Sequence, residues 1–157
     1  MTTFWRNWLV IWCIGLALFG LSLYGAAFSA TTRPAALLFN LFGNLLPAEP
    51  DRYLRFAVSL MGAVSFGWAM TMLAAFRAAW ALESAAANAL WRRITVAMLV
   101  WCVLDSVASV ATGFAINALS NTALLVAYLV PVLASGVIGT GPRRGGLEPA
   151  CSAGLGG

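Results

Sequence analysis

The residues with the clearest capacity for chemistry are one acid and the hydroxyl groups that share its depth. Asp105 is the one acid within the apolar stretch from Ile94 to Ile116, and it falls about halfway along that stretch. A carboxylate at the centre of a bilayer costs about 2.5–3.5 kcal/mol on insertion scales, so an acid there is expected to have a polar partner. The candidate ligand or proton site consists of Asp105, Ser109, Tyr128 and Ser65, with Asn117 and Asn121 at its outer mouth.

Helical geometry is the reason for this grouping. Ser109 follows Asp105 by one turn and shares its helix face. At about 1.5 Å per residue, Tyr128 on a returning helix and Ser65 on a preceding one reach a depth comparable to that of Asp105. No arginine falls inside a predicted span. We therefore expect the Asp105 carboxyl to form its hydrogen bond with a hydroxyl or carbonyl group on a neighbouring helix.

Two roles for Asp105 fit this pattern. The carboxyl could be a structural pin, hydrogen-bonded so that it holds the third and fourth spans in register. It could instead be a proton-coupled or cation-binding site near the midplane, as in many small transporters. Catalysis is disfavoured, because Asp105 has no base–nucleophile pair beside it and no second acid to form a dyad. We predict no catalytic residues and expect that the protein is not an enzyme.

Composition excludes several classes of cofactor. Histidine and lysine are both absent from the 157 residues. Without histidine there is no imidazole ligand for haem, zinc or copper, and without lysine there is no Schiff base to retinal or pyridoxal phosphate. The three cysteines, Cys13, Cys102 and Cys151, form no C-x-x-C pair. We therefore predict no metal site and no cofactor.

The hydropathy pattern predicts an all-α membrane protein. Apolar residues make up 62% of the chain and charged residues only 9%, far from the composition of a soluble domain. We predict a four-helix membrane domain over residues 1–138, with spans at about 8–28, 56–76, 94–116 and 119–138. We place a tight turn at residues 117–121. Pro131 removes one backbone hydrogen bond from the last span.

The segments between and after the spans are expected to lie at the surface. The apolar stretch from Pro34 to Pro47 is too short to cross a bilayer, so we predict a short interfacial helix there. Trp5, Trp8 and Trp12 share a helix face and suggest an aromatic belt. The segment between Arg77 and Arg93 is predicted as a surface loop or a helical extension. Residues 139–157 are rich in glycine and proline and are predicted to be disordered.

Arginine placement predicts the orientation. The side of both termini carries six arginines, namely Arg6, Arg77, Arg92, Arg93, Arg143 and Arg144, and the other side carries three, namely Arg33, Arg52 and Arg55. This asymmetry favours cytoplasmic termini, and the small all-arginine composition is typical of a bacterial inner-membrane protein. The expected partners are the lipid bilayer and a membrane protein or a second copy of the chain. Nucleic acid is not expected, because no folded basic domain is present to bind it.

One resemblance bears on the fold. Arg55, Gly62 and Gly67-Trp68 precede a series made of Trp101, Asp105, Ser109, Gly113, Asn117 and Asn121. This pattern, from about Arg52 to Pro131, resembles small bacterial membrane proteins of the DoxX-like kind. The resemblance implies a four-helix bundle in the membrane and carries almost no biochemistry, since such relatives largely lack an assigned activity. The leading prediction is a non-catalytic accessory or structural membrane protein. The alternative is a small transporter or ligand-binding bundle with its site at Asp105.

Overall fold

The computed structural model describes residues 1–41, 47 and 49–138. This part of the chain is entirely helical, with five α-helices and two short 3₁₀ turns. The α-helices are α1 (Thr3–Tyr24), α2 (Arg33–Leu41), α3 (Arg52–Ala81), α4 (Ser84–Ala111) and α5 (Ala115–Ala134). The prediction of an all-α fold is confirmed. The predicted tail at 139–157 and most of the second half of the predicted interfacial helix lie outside the described residues.

Four of these helices are long and apolar enough to cross a membrane: α1 with the turn that follows it, α3, α4 and α5. α3 and α4 are longer than the spans read from hydropathy, which covered about 56–76 and 94–116. The segment between Arg77 and Arg93 proves to be helical extension, interrupted only around Leu82 and Glu83. Its alanine-rich sequence has high helix propensity, which explains why both helices continue past the apolar stretch. At the other end of α3, the Asp51 carboxylate accepts a hydrogen bond of 2.8 Å from the Leu54 amide and caps the helix.

The most extensive helix pair is α1 against α3, which run antiparallel. Their backbones cross at Gly20 and Gly62, both of which are buried. A β-carbon on Gly20 would lie 2.6 Å from the Phe66 nitrogen and 2.7 Å from the Gly62 oxygen. Only glycine allows two helices to approach this closely. Gly62 therefore serves the contact, whereas a β-carbon on Gly67 would meet nothing within 4 Å.

The turn between α4 and α5 differs from the prediction. It occupies residues 112–114, and Asn117 and Asn121 lie within α5. Gly113 adopts a φ of +84°. The Phe114 amide donates to the Ser109 carbonyl at 2.7 Å, and the Gly113 amide donates to that of Val110 at 3.1 Å. This is a Schellman motif, in which the left-handed glycine ends the helix. The predicted turn at 117–121 is wrong because Gly113 ends α4 first.

The main core lies at one end of the bundle, where α1 begins and α5 ends. We call this the basic end, because Arg6, Arg77, Arg92 and Arg93 lie there, and we call the opposite end the turn end. Phe76 of α3 is fully buried. Its ring centroid lies 5.4 Å from that of Trp91 on α4 and 6.0 Å from that of Tyr128 on α5. The Trp12 ring on α1 is 6.4 Å away. Rings from all four long helices therefore meet around Phe76.

A smaller cluster lies at the turn end. Ala35 of α2 is buried there with Leu23, Ala26 and Val58. A short helix lies in this segment, as predicted; it begins at Arg33 and packs on the end of α1 and on the 3₁₀ turn that follows α1. Leu37 and Leu41 stay exposed. α2 therefore covers the turn end of the α1–α3 pair.

Candidate functional site

The polar residues of α4 and α5 form one connected group beside the 112–114 turn. Asn121 is 3% exposed, and its Nδ2 donates to Asp105 Oδ2 at 2.9 Å. The two residues belong to adjacent helices of a hairpin, and each lies a few residues from the turn. The partner of Asp105 is therefore an amide donor, not the hydroxyl or carbonyl group expected from the sequence.

A second hydrogen bond joins the same two helices nearer the turn. Asn117 Nδ2 donates to Ser109 Oγ at 2.8 Å, and the Ser109 hydroxyl donates to the Asp105 backbone carbonyl at 2.6 Å. Ser109 is buried. Successive turns of α5 thus present Asn117 and Asn121 to successive turns of α4. These two bonds hold the hairpin in register.

The structure does not group Tyr128 with Asp105. Tyr128 follows Asn121 by seven residues, which is about 10 Å along a helix. Its hydroxyl is 2.9 Å from Thr95 Oγ1, and its ring lies in the aromatic core at the basic end. The Ser65 hydroxyl donates to the Met61 carbonyl within its own helix at 2.8 Å. Of the predicted site, Asp105 and Ser109 therefore come together with the two asparagines, while Tyr128 and Ser65 bond elsewhere.

The position of Asp105 along its helix also changes. α4 ends at Ala111, five residues before the predicted end of the span at Ile116. Asp105 lies six residues from the helix end, or about 9 Å. It is partly buried. The carboxyl is therefore nearer to the turn end than to the middle of the helix.

A second polar arrangement, which the sequence reasoning missed, joins α1 to α5. Trp8 Nε1 donates to the Ala127 carbonyl at 2.8 Å, and Trp12 Nε1 donates to the Leu124 carbonyl at 3.1 Å. Ala127 is four residues before Pro131, so its carbonyl has no amide partner within α5. The Trp8 indole supplies the missing donor. Pro131 is the signal in the sequence for this contact, because a proline leaves the carbonyl four residues before it without an amide partner in the helix.

Trp12 does not fit the prediction of an aromatic belt, which stays a prediction for Trp5 and Trp8. Trp12 is 7% exposed and packs against rings of α3 and α5. It belongs to the core, whereas Trp8 is 41% exposed and donates its indole N–H to α5. The spacing of three and four residues is the same for a core stripe as for a belt, so the sequence did not distinguish them.

Asp105 lines neither of two cavities that open on the described helices and connectors. One, of about 590 Å³, lies on the outer face of α4 and is lined by Arg92, Arg93, Val96, Ala97, Val100 and Trp101. The other, of about 560 Å³, lies at the turn end and is lined by Ser29, Thr32, Glu49, Pro50, Asp51 and Arg55. The group around Asp105 is a set of side chains paired between two helices. What it can do without rearrangement is hold α4 against α5.

Comparison with known proteins adds no relative. No protein-family model, curated protein or solved structure matches this chain. The resemblance to DoxX-like proteins therefore stays a prediction.

Proposed function

We propose that this chain is a non-catalytic integral protein of the bacterial inner membrane, an accessory or structural component whose termini lie in the cytoplasm. Four apolar helices of spanning length support the membrane placement. The excess of arginines at the basic end supports the orientation. Its partners are the bilayer and a membrane protein or a second copy of the chain, and the DoxX-like resemblance fits the same proposal.

One observation carries the non-catalytic role: the hydrogen bond between Asn121 Nδ2 and Asp105 Oδ2. Through this bond, the acid with the clearest capacity for chemistry forms part of the contact between α4 and α5. Hydrogen bonds of this kind in membranes contribute about 0.6 kcal/mol on average and up to about 1.7. Asp105 accordingly acts as a structural pin.

The alternative is a small transporter or ligand-binding bundle with its site at Asp105. It is favoured by the partial exposure of Asp105 beside a connected group of polar side chains. In that function the carboxyl exchanges Asn121 for a proton or cation during each cycle. The transporter requires a carboxyl at residue 105 that can exchange a proton or cation, whereas the structural pin requires only a hydrogen-bond acceptor there.

Substitution of Asp105 distinguishes the structural pin from the transporter. Asp105→Asn keeps an oxygen that accepts from Asn121, so the pin predicts a free energy of unfolding within about 0.5 kcal/mol of the unaltered protein. Asp105→Leu leaves the buried Asn121 amide without an acceptor and should cost about 1–2 kcal/mol. Unfolding by a denaturing detergent, followed by tryptophan fluorescence, measures both.

Proteoliposomes supply the second readout. A proton- or cation-driven flux that Asp105→Asn abolishes while stability is unchanged would establish the transporter and end the structural proposal. Absence of any flux from either protein, with the stability order given above, supports the pin. Ser120→Ala is the matched control on α5, because its hydroxyl bonds only within its own helix.

A further inference from the structure

We propose that the α4–α5 hairpin swings as one body against the α1–α3 pair, about a pivot in the aromatic core at the basic end. This inference goes beyond the proposed function, which needs only a static bundle, and it uses neither the membrane placement nor the orientation. Along the chain, α3 and α4 are joined by Leu82 and Glu83 alone, and both residues are extended. The hairpin is therefore attached to the α1–α3 pair by a two-residue link at one end.

The face of α3 that packs against α4 is covered only toward the basic end. The Trp68 ring on this face lies 4.7 Å, centroid to centroid, from the Trp101 ring of α4, and Trp68 is half-buried. Val64 and Met61 precede Trp68 by four and seven residues, so they continue the same face toward the turn end. They are 63% and 48% exposed. Among the described residues, α4 therefore no longer covers α3 beyond Trp68.

The corresponding face of α4 shows the same change. Leu104 and Ala108 follow Trp101 by three and seven residues, toward the turn end, and both are exposed. Of the hydrogen bonds between α1 and α5 in the described residues, the one nearest the turn end joins Trp12 to the Leu124 carbonyl. The two helix pairs therefore diverge beyond the level of Trp101 and Leu124.

The hairpin itself is joined along its whole length. Near the basic end the Thr95 and Tyr128 hydroxyls lie 2.9 Å apart, and near the turn Asn121 donates to Asp105 at 2.9 Å. These bonds hold α4 and α5 together where the shared core does not reach. The hairpin is therefore expected to move as a unit, and Asp105 moves with its partner.

The opposing pair is fixed by its own close crossing. The backbones of Gly20 and Gly62 meet near the turn end, where neither helix can shift without the other. Motion is thus directed between the pairs, where buried contacts are fewest. Hinges of this kind are a few residues at the ends of elements. Ile116 lies eight residues from Leu124, or about 12 Å, so a rotation of about 15° at that level displaces it by about 3 Å.

Distances between pairs of nitroxide labels, measured by pulsed electron spin resonance on the full chain in mixed micelles, test the motion. In a background whose native cysteines are replaced by alanine, Tyr24→Cys with Ile116→Cys places labels on α1 and α5 at the turn end. Ile11→Cys with Val130→Cys places them on the same two helices nearer the basic end, and all four positions are exposed. We expect the turn-end distance distribution to be wider than the basic-end distribution by about 3 Å. Equal widths would show a static bundle and overturn the proposal.

A control pair within α1 and α3 shares one of these labels. Tyr24→Cys with Phe56→Cys joins two exposed positions of the fixed pair, and its distribution should be as narrow as that of the basic-end labels. A distribution as wide as that of Tyr24 with Ile116 would place the mobility at the end of α1 and contradict a swinging hairpin.

A substitution at the last contact between the pairs tests the pivot. Trp101→Ala removes the ring that meets Trp68, so the turn-end distribution should widen further while the basic-end distribution stays the same. Val103→Ala, at an exposed position of α4, should change neither. An unchanged turn-end width in Trp101→Ala, or equal widening at both ends, overturns the pivot. These distances carry no information on sidedness, so failure of the hinge leaves the proposed membrane topology untouched.

Discussion

At the scale of single residues, the pairing of Asp105 with Asn121 is the central contact between α4 and α5. The asparagine is the more buried of the two and donates to the carboxyl across the α4–α5 hairpin. Ser109 and Asn117 repeat the arrangement one turn nearer to the loop. Each bond is modest, and their value lies in fixing which turns of two apolar helices face each other.

A double-mutant cycle measures this pairing. Asp105→Ala and Asn121→Ala should show a coupling free energy of about 0.6–1.7 kcal/mol, because each removes the partner of the other. Thr122 lies next to Asn121 and bonds only within its helix. The cycle of Asp105→Ala with Thr122→Ala should therefore give a coupling near zero. Equal coupling in both cycles would mean that Asp105 acts on α5 without a specific partner.

Sequence reasoning found the residues of this group but not their arrangement. The helix face identifies Asp105 and Ser109, and polarity in an apolar context identifies Asn117 and Asn121. Their pairing depends on the register of the hairpin, which Gly113 sets by ending α4 at Ala111. The apolar stretch continues past Gly113, so hydropathy alone does not reveal a turn at that glycine. Tyr128 and Ser65 were assigned by depth alone, and depth does not specify a partner.

At the scale of helices, the closest contact is the crossing of α1 and α3 at two glycines. A β-carbon on Gly62 would lie 2.5 Å from the Gly20 oxygen and would also meet the backbone of Leu23 and Tyr24. These neighbours are main-chain atoms, so they can give way only if the whole helix moves. The crossing therefore depends on both glycines.

Alanine substitutions at two glycines of α3 test this contact. Gly62→Ala should lower the free energy of unfolding by about 1–3 kcal/mol, the usual cost of overpacking. Gly67→Ala is the control, since a β-carbon there meets nothing within 4 Å. It should be neutral or slightly stabilising, because alanine is the better helix former. Unfolding in mixed micelles gives both values, and an equal loss from the two variants would contradict the crossing.

The contact between α1 and α5 has a different basis. Pro131 leaves the Ala127 carbonyl without an intrahelical donor, and the Trp8 indole donates to it. The proline thus creates an acceptor that a neighbouring helix uses. The sequence predicts the unpaired carbonyl, because it always lies four residues before a proline in a helix. The sequence does not predict that the Trp8 indole is the donor, because that depends on how α1 packs against α5.

A double-mutant cycle between Trp8 and Pro131 tests this contact. Trp8→Phe should cost about 1 kcal/mol in the unaltered protein, because the Ala127 carbonyl loses its hydrogen bond. In the Pro131→Ala background the cost should be much smaller, since the amide of the new alanine donates to that carbonyl. Stability of the four proteins at one detergent composition provides the comparison. A cost for Trp8→Phe that does not depend on residue 131 would show that the indole serves another purpose.

At the scale of the whole molecule, the bundle consists of two antiparallel pairs that share a core at the basic end. α1 packs on α3, and α4 packs on α5. In the shared cluster, α4 contributes Trp91, Ile94 and Met98, and α5 contributes Tyr128 and Val132. The parts of α4 and α5 nearest the turn contribute to neither apolar cluster of the described residues. There the hairpin is held by the Asp105 and Ser109 bonds.

Phe76 is the residue on which the shared core depends most. Its ring contacts Trp12, Trp80, Trp91 and Tyr128, so it touches every long helix. In the proposed membrane placement, Phe76→Ala should cost about 2 kcal/mol, less than in a soluble core, because the apolar medium is already there and only the lost packing counts. Phe56→Ala, at a largely exposed position of α3, should cost under about 0.5 kcal/mol. Similar costs in detergent unfolding would contradict a core centred on Phe76.

The sidedness of the two turns that flank α4 tests the proposed membrane topology in the intact chain. Ser84 begins α4 and Thr112 follows its end, and both are exposed. In a background whose native cysteines are replaced by alanine, Ser84→Cys and Thr112→Cys each place one thiol at opposite ends of α4. Four membrane-spanning helices with cytoplasmic termini predict that a membrane-impermeant maleimide added to intact spheroplasts labels Thr112→Cys but not Ser84→Cys, which reacts only after permeabilisation. Labelling of both cysteines in intact spheroplasts, or of Ser84→Cys alone, would contradict that topology.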